Sequence, residues 1–205
     1  MLRIIGREAR NREHKALRAM FEARKRVFVD LLKWDLPVLA GRYEVDQFDD
    51  GNAVYLIVTD EEANHLASAR LLATTRPALL DSLYHELVHG PVPRGPDVCE
   101  ITRFCLSPGI GARLRRKARD ALLVGLAQYA LDHGIRTYTG VAEVSWFEQI
   151  RRFGWACCSL GAPRSEGSRL LTALRIAIDD TTIPRLALNG VSADAQPRAL
   201  PAQAA

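Results

Sequence analysis

From residue 98 onward the sequence alternates elements in an order that few folds permit. "VCEITRFCLS" (98–107) reads as a strand, and "PGIGA" then opens a long helix, about 112–133, closed by Gly134. "RTYTGVA" is a second strand, "EVSWFEQIRRFG" a second helix and "RLLTALRIAID" a third strand. Such a strand–helix–strand–helix–strand run needs a sheet with helices on its faces. Upstream, "AVYLIVTD" (53–60) and "HLASARLLATT" (65–75) flank a turn at Asp60–Asn64 and read as an antiparallel hairpin. Leu17, Met20, Phe21, Val27, Phe28, Leu31 and Leu32 recur near helical spacing and predict a helix over 11–32. "ALLDSLYHELVHG" predicts a short helix stopped by Gly90 and Pro91. The fold class is therefore α/β: a three-layer αβα sandwich with a mixed central sheet. One domain is expected over 1–185. An Ala/Pro-rich tail over 186–205 has little to bury and is expected to be disordered.

Composition bears on where such a chain works. Of 205 residues, 48% are hydrophobic, enough for a real core. No apolar run reaches the roughly 18 residues of a membrane span, and the N-terminal residues lack the apolar stretch of a secretory signal. Cys99, Cys105, Cys157 and Cys158 form no CxxC pair, which suits a reducing, cytoplasmic setting. A formal charge of +4 permits an acidic partner without demanding nucleic acid.

Against that basic balance, "YEVDQFDD" (43–50) collects Glu44, Asp46, Asp49 and Asp50. A turn accounts for Asp50, Gly51 and Asn52. It does not account for Glu44 and Asp46, which alternate with Val45 as on one face of an extended segment. A calcium-loop pattern is absent. The remaining reading is a pocket for an organic cation, helped by the ring faces of Phe28, Trp34 and Phe48. A different motif, "HELVH" at 85–89, matches HExxH, in which two histidines on one helical face bind zinc beside a general base. Gly90 and Pro91 end that helix at once and no third histidine follows, so the expectation is a short surface helix and no metal.

Four blocks then carry a resemblance. Arg24, Phe28 and Trp34 come first, then Glu44, Asp46, Phe48 and Asp49, then "ARLLATT" from Ala69 to Thr75, then "EITRF" with Glu100, Arg103 and Phe104. In order and spacing, from about residue 10 to 180, they resemble the acyl-homoserine-lactone synthases, the autoinducer synthases of bacterial quorum sensing. Leu31 departs from the basic residue or Gln usual there, and Tyr84 from the usual Phe. The resemblance implies a GNAT-like N-acyltransferase fold and two substrates, S-adenosylmethionine and an acyl thioester on acyl carrier protein or coenzyme A. It implies no permanently bound cofactor, no membrane and no nucleic acid partner. The amine of S-adenosylmethionine attacks the thioester, and its carboxylate then closes the lactone, releasing methylthioadenosine. The alternative of the same fold is an acyl-CoA N-acyltransferase acting on another amine; the distant one is a zinc peptidase.

The roles follow from that chemistry. The ammonium must lose a proton, and Glu100 is expected to accept it through water, with Glu44 second. Asp46 and Asp49 are expected at the ammonium or ribose, Phe28, Trp34 and Phe104 at the walls. Arg24, Arg70 and Arg103 either bind a carboxylate bidentately or lock the acidic residues in place. Tyr84, Leu122, Val141, Ala142, Trp146 and Phe147 are the expected acyl slot, within what is otherwise ordinary core. Ala142 and Glu143 stand near where the family often has Thr with 3-oxo chains, which leans toward unsubstituted chains. Arg113, Arg115, Arg116, Lys117 and Arg119 oppose the dipole of the long helix. With Arg151 and Arg152 they make either a landing patch for the acidic carrier or a solvated basic face.

Overall fold

The computed structural model of the chain describes residues 1–191. In chain order the regular elements are β1 (Leu2–Ile5), α1 (His14–Arg24), β2 (Val38–Leu39), β3 (Tyr43–Glu44), β4 (Val54–Thr59), β5 (His65–Ala73), α2 (Leu79–Leu83), β6 (Val98–Leu106), α3 (Ala112–Asp132), β7 (Thr137–Glu143), α4 (Val144–Arg152), β8 (Ala156–Ser159), β9 (Arg164–Glu166), β10 (Arg169–Ala177) and α5 (Thr182–Leu188). Hydrogen bonds join the strands in the order β1-β4-β5-β6-β7-β10-β8, with β9 beside β10. β6 and β7 are parallel, while β1–β4, β7–β10 and β10–β8 are antiparallel. The sheet is mixed, as expected, and helices flank it. Two compact units are distinguishable, residues 1–70 with 103–125, and residues 71–102 with 126–191.

In the first unit β1 pairs with β4 from Leu2↔Val58 to Ile5↔Tyr55. Four residues are too few for a periodic signal, so nothing in the local pattern marks this strand. The helix expected over 11–32 is corrected. α1 buries Ala16, Met20, Ala23 and Arg24 and ends at Arg24, and a π-helical stretch, Lys25–Leu31, continues from it. There the Leu32 amide donates to Val27 O (2.9 Å) and the Trp34 amide to Phe28 O (2.8 Å), skipping the usual i−4 carbonyl. Val27 and Val29 are β-branched and crowd a helical turn, and such widened turns are frequent at functional sites. The outcome here is that Phe28 is turned inward and buried with Ala23 and Cys105, worth about 1.5–3 kcal/mol of apolar burial.

The long α3 makes the crossover that the parallel pair β6–β7 requires. The pairing runs Val98↔Thr137 to Glu100↔Thr139. Gly140 of β7 sits where an added Cβ would come within 2.9 Å of Ile101 O, so the strand approach excludes a side chain. Leu80, Leu87, Leu171 and Ala173 form a buried cluster. The single helix expected over 78–90 is corrected to α2 and a separate 3-10 turn, His85–Leu87, divided at Tyr84 (φ −135°). Residues 186–191, expected in the tail, instead belong to α5 and the turn after it, with Leu186 and Val191 buried. Residues 192–205 lie outside the described part.

Candidate functional site

Three arginines and three carboxylates that are far apart in the sequence meet in the first unit. Arg24 comes from the end of α1, Glu44 from β3, Asp46 and Asp49 from the loop before β4, Arg70 from β5 and Arg103 from β6. Arg24 donates through both terminal nitrogens to the two oxygens of Asp49, each at 2.8 Å, and through Nε to Glu44. Arg70 grips both oxygens of Asp46 and reaches Asp49 Oδ1 at 2.9 Å. Arg103 donates to Glu44 (3.0 Å from Nη2) and Asp46 (2.7 Å). None of the six side chains is more than 8% exposed. Three positive and three negative charges cancel, which is what allows the cluster to be buried at all.

The electrostatics agree with that pairing. Burial works against ionising Asp49, but the hydrogen bonds and charge of Arg24 and the charge of Arg70 outweigh it and hold the carboxyl well below the usual range. Burial likewise opposes the Arg24 charge and is outweighed by Asp49 and Glu44. The aromatic rings are engaged too. Phe28 and Trp34 stack at 4.9 Å, Arg103 lies 5.8 Å from the Phe28 centroid and Arg70 5.7 Å from that of Phe48. Arg103 takes φ +51°, a left-handed conformation within a strand. For a side chain with a Cβ this costs about 1–3 kcal/mol and persists only where the surroundings enforce it. Among the described residues its Nη1 has no hydrogen-bond partner, while all three guanidinium nitrogens of Arg24 have one. Leu31, at the family's usual basic position, is exposed.

In the structure all three arginines pair with the acidic residues. The oxygens of Glu44, Asp46 and Asp49, expected to meet a ligand cation, are filled by guanidiniums and by the amides of Asp46 and Phe48. Phe104 is half-buried on β6. Two further contributors escaped the sequence reading. Tyr55 of β4 donates its phenol to Asp49 Oδ1 (2.9 Å), and Arg10 lies over the Tyr55 ring at 5.2 Å. Tyr55 sits inside an apolar strand and Arg10 inside a run of surface charges, so neither carries a local signal.

Glu100, on β6, is wholly buried in the second unit. Its two oxygens share the amide hydrogen of Leu80 (2.9 and 3.1 Å), at the start of α2. It thereby satisfies one of the donors that a helix start leaves open. Beside it Cys99 has its thiol pushed up to about 12, by burial first and then by the charge of Glu100. Of the expected acyl residues, Tyr84 and Val141 pack on the cluster of Leu80 and Leu171. Ala142 and Phe147 are buried, Trp146 meets Phe153 edge-on at 5.9 Å, and Leu122 is buried within α3 in the first unit.

The basic residues divide into pinned and open. Arg115 donates to Ser107 O at 3.0 Å and so clasps the loop that leads into α3, where Gly109 (φ +77°) and Gly111 (φ +72°) make turns that only glycine adopts freely. Arg119 pairs with buried Asp120, and Arg151 with Glu148 at 3.4 Å. Arg113, Arg116, Lys117 and Arg152 are exposed and have no partner among the described residues. Under the same loop His65 is buried between two hydroxyls. Ser107 Oγ gives its hydrogen to His65 O (2.7 Å), so it must accept from Nδ1–H (2.8 Å), and Nε2 accepts from Ser68 Oγ (2.8 Å). The "HELVH" segment is one 3-10 turn followed by extended Val88, so His85 and His89 do not share a helical face. No group of three metal-ligating side chains occurs among the described residues, and no described helix is long and apolar enough to cross a membrane.

A mixed sheet flanked by helices, with a buried arginine–carboxylate cluster across its first strands, defines a GNAT-like acyltransferase. Solved N-acyltransferases of low identity share the fold at TM-scores of 0.57 and 0.58. Residues 8–186 match the autoinducer synthase family, and the chain belongs to it. The acyl-homoserine-lactone synthase of Ralstonia nicotianae is 36% identical over 180 residues, covering 85% of this chain and 88% of its own. The CoA-dependent acyl-homoserine lactone synthase MesI superposes with a TM-score of 0.82 at 26% identity, over 94% of this chain and 96% of its own. BjaI, a CoA-dependent synthase solved with SAM and isopentyl-CoA, gives 0.81 at 25%, over 91% and 87%. The protein is accordingly an enzyme, an acyltransferase of the acyl-homoserine-lactone synthase kind.

Proposed function

We propose that the arginine–carboxylate cluster is the S-adenosylmethionine site, and that the enzyme acylates the amine of that substrate and closes the lactone. The observation that carries this is the open Nη1 of Arg103, on a guanidinium otherwise fixed by Glu44 and Asp46 and set beside Phe28. A fixed guanidinium with free donors suits a substrate carboxylate. Ring faces suit a sulfonium. Because the cluster is neutral overall, its part is to hold Arg103 and the rings in place and not to attract the cation by net charge.

The amine attacks the thioester carbonyl and expels the thiol. The freed carboxylate then attacks the methionine γ-carbon, and methylthioadenosine leaves. Glu100 is the proposed proton acceptor, through water. Glu44 is less suited, since Arg24 and Arg103 already occupy its oxygens. The donor is an acyl thioester. Arg113, Arg116 and Lys117 favour acidic acyl carrier protein, while the Gly109–Gly111 turn suits the phosphate of either carrier. Tyr84 and Val141 border the proposed acyl slot. No resident cofactor enters this chemistry, and the setting is cytoplasmic.

The test is mass spectrometry of lactones from a heterologous host expressing the chain, with calorimetric titration of the purified protein with S-adenosylmethionine. Acyl-homoserine lactone in the medium and saturable binding lost in Arg103→Ala are expected. Lactone production by a protein whose Arg103→Ala variant binds S-adenosylmethionine normally would remove the cluster from the substrate site.

A further inference from the structure

Asp49 accepts four hydrogen bonds and makes a further ion pair. Oδ1 accepts from Arg24 and Tyr55, and Oδ2 from Arg24 and the Asp46 amide, while Arg70 makes an ion pair with Oδ1 at 2.9 Å. Four hydrogen bonds fill the roughly four lone-pair directions a carboxylate offers, so its position is fully specified. Three of those hydrogen bonds come from the cluster itself or from its loop. The fourth, from the Tyr55 phenol, comes from β4 and is uncharged.

Tyr55 has little freedom. Its side chain is buried, Phe21 meets its ring edge-on at 5.9 Å, and the Arg10 guanidinium lies on it at 5.2 Å. Arg10 is itself tied to the loop, donating to Asp50 O (2.5 Å) and Ala53 O (2.8 Å). The segment 45–53 that carries Asp46 and Asp49 has no strand or helix of its own. One end of it is thus held to β4 by Arg10 and Tyr55 together. Removing the phenol leaves the charge balance of the cluster untouched, so its contribution is one of position.

We infer that Tyr55, set by Arg10, is a positioning residue for S-adenosylmethionine. Through Asp49 it fixes where Arg24 and Arg70 stand, and through Asp46 the pose of Arg103. This rests on the cluster being the S-adenosylmethionine site. Tyr55→Phe keeps the ring and its packing and removes one donor. Its expected effect is a rise of roughly threefold to tenfold in KM for S-adenosylmethionine, the range that loss of one hydrogen bond supports. The KM for the acyl donor should stay within about twofold and kcat should change little. Arg10→Gln should move the same KM in the same direction while the phenol remains.

Calorimetric titration with S-adenosylmethionine alone separates the failures. If Tyr55→Phe binds it as the wild type does while Arg103→Ala loses binding, Tyr55 is only a structural brace and the inference is wrong. If Arg103→Ala also binds normally, the site itself is wrongly placed. A Tyr55→Phe variant with both KM values raised alike would equally overturn the inference, because a general loss of order does not single out one substrate.

Discussion

Arg24 and Asp49 form a two-point pair, each terminal nitrogen of the guanidinium 2.8 Å from its own carboxylate oxygen, with both side chains 1% exposed. Lysine brings one point charge and cannot reproduce the fork. Arg24→Lys should therefore lower the thermal midpoint and abolish most S-adenosylmethionine binding, although the charge is conserved. Arg24→Ala should cost about 3–5 kcal/mol of stability, the usual penalty for stranding a buried partner. Denaturant unfolding of both variants measures this, and an Arg24→Ala loss below about 1 kcal/mol would mean the cluster is hydrated in solution.

Glu100→Gln retains an oxygen to accept the Leu80 amide and so should fold. If Glu100 relays the amine proton, turnover should fall roughly 10²–10⁴-fold, with S-adenosylmethionine affinity little changed. A well-folded, fully active Gln variant would confine Glu100 to bracing the start of α2.

The open cations of α3 give a separate expectation. Arg113 and Arg116 oppose the helix dipole and have no partner among the described residues, so reversing both to Glu should hold or slightly raise the thermal midpoint. The KM for acyl carrier protein should rise, and wild-type KM should rise with salt. Arg115→Glu behaves differently because its clasp on Ser107 is lost, and it should weaken acyl-CoA use as well. Unchanged acyl carrier protein kinetics in the Arg113/Arg116 reversal would reduce this face to a solvated surface.

Acid stability should report His65. Burial and the charge of Arg26 push its imidazole down to about 3, from an ordinary value near 6.5. The unfolded chain takes up a proton below about 6.5 that the folded protein refuses, so stability falls as pH drops, by up to about 1.4 kcal/mol per unit. Between pH 6.5 and 5 this amounts to about 2 kcal/mol. The other four histidines are exposed. His65→Asn should be less stable at pH 7.5 but lose less on acidification; equal slopes in denaturant titrations would show His65 protonated in place.

The sheet and the long helices were legible because periodicity survives over the nine residues of β6 or the twenty-one of α3. β1 and β8, of four residues each, are held by their partners and have no pattern of their own. The π-helical stretch also escaped, since apolar spacing cannot tell a widened turn from a regular one. At the site, residue identity pointed to the right side chains but not to their bonds. Glu44 and Asp46 announced a charge to be met. Whether a ligand or Arg24, Arg70 and Arg103 met it depends on pairings across 20 to 59 residues. Tyr55 in an apolar strand was silent for the same reason.

The even count of charges in the cluster has an evolutionary reading. Any single substitution that alters a charge there leaves a net charge in a place with little solvent to absorb it. Such positions cannot drift one at a time, and the six must be kept together or exchanged in matched pairs. Change is left to uncharged neighbours such as Tyr55, where a step alters position without breaking parity. If substrate preference shifts among enzymes built on this cluster, it should do so through those neighbours while the charged six stay fixed.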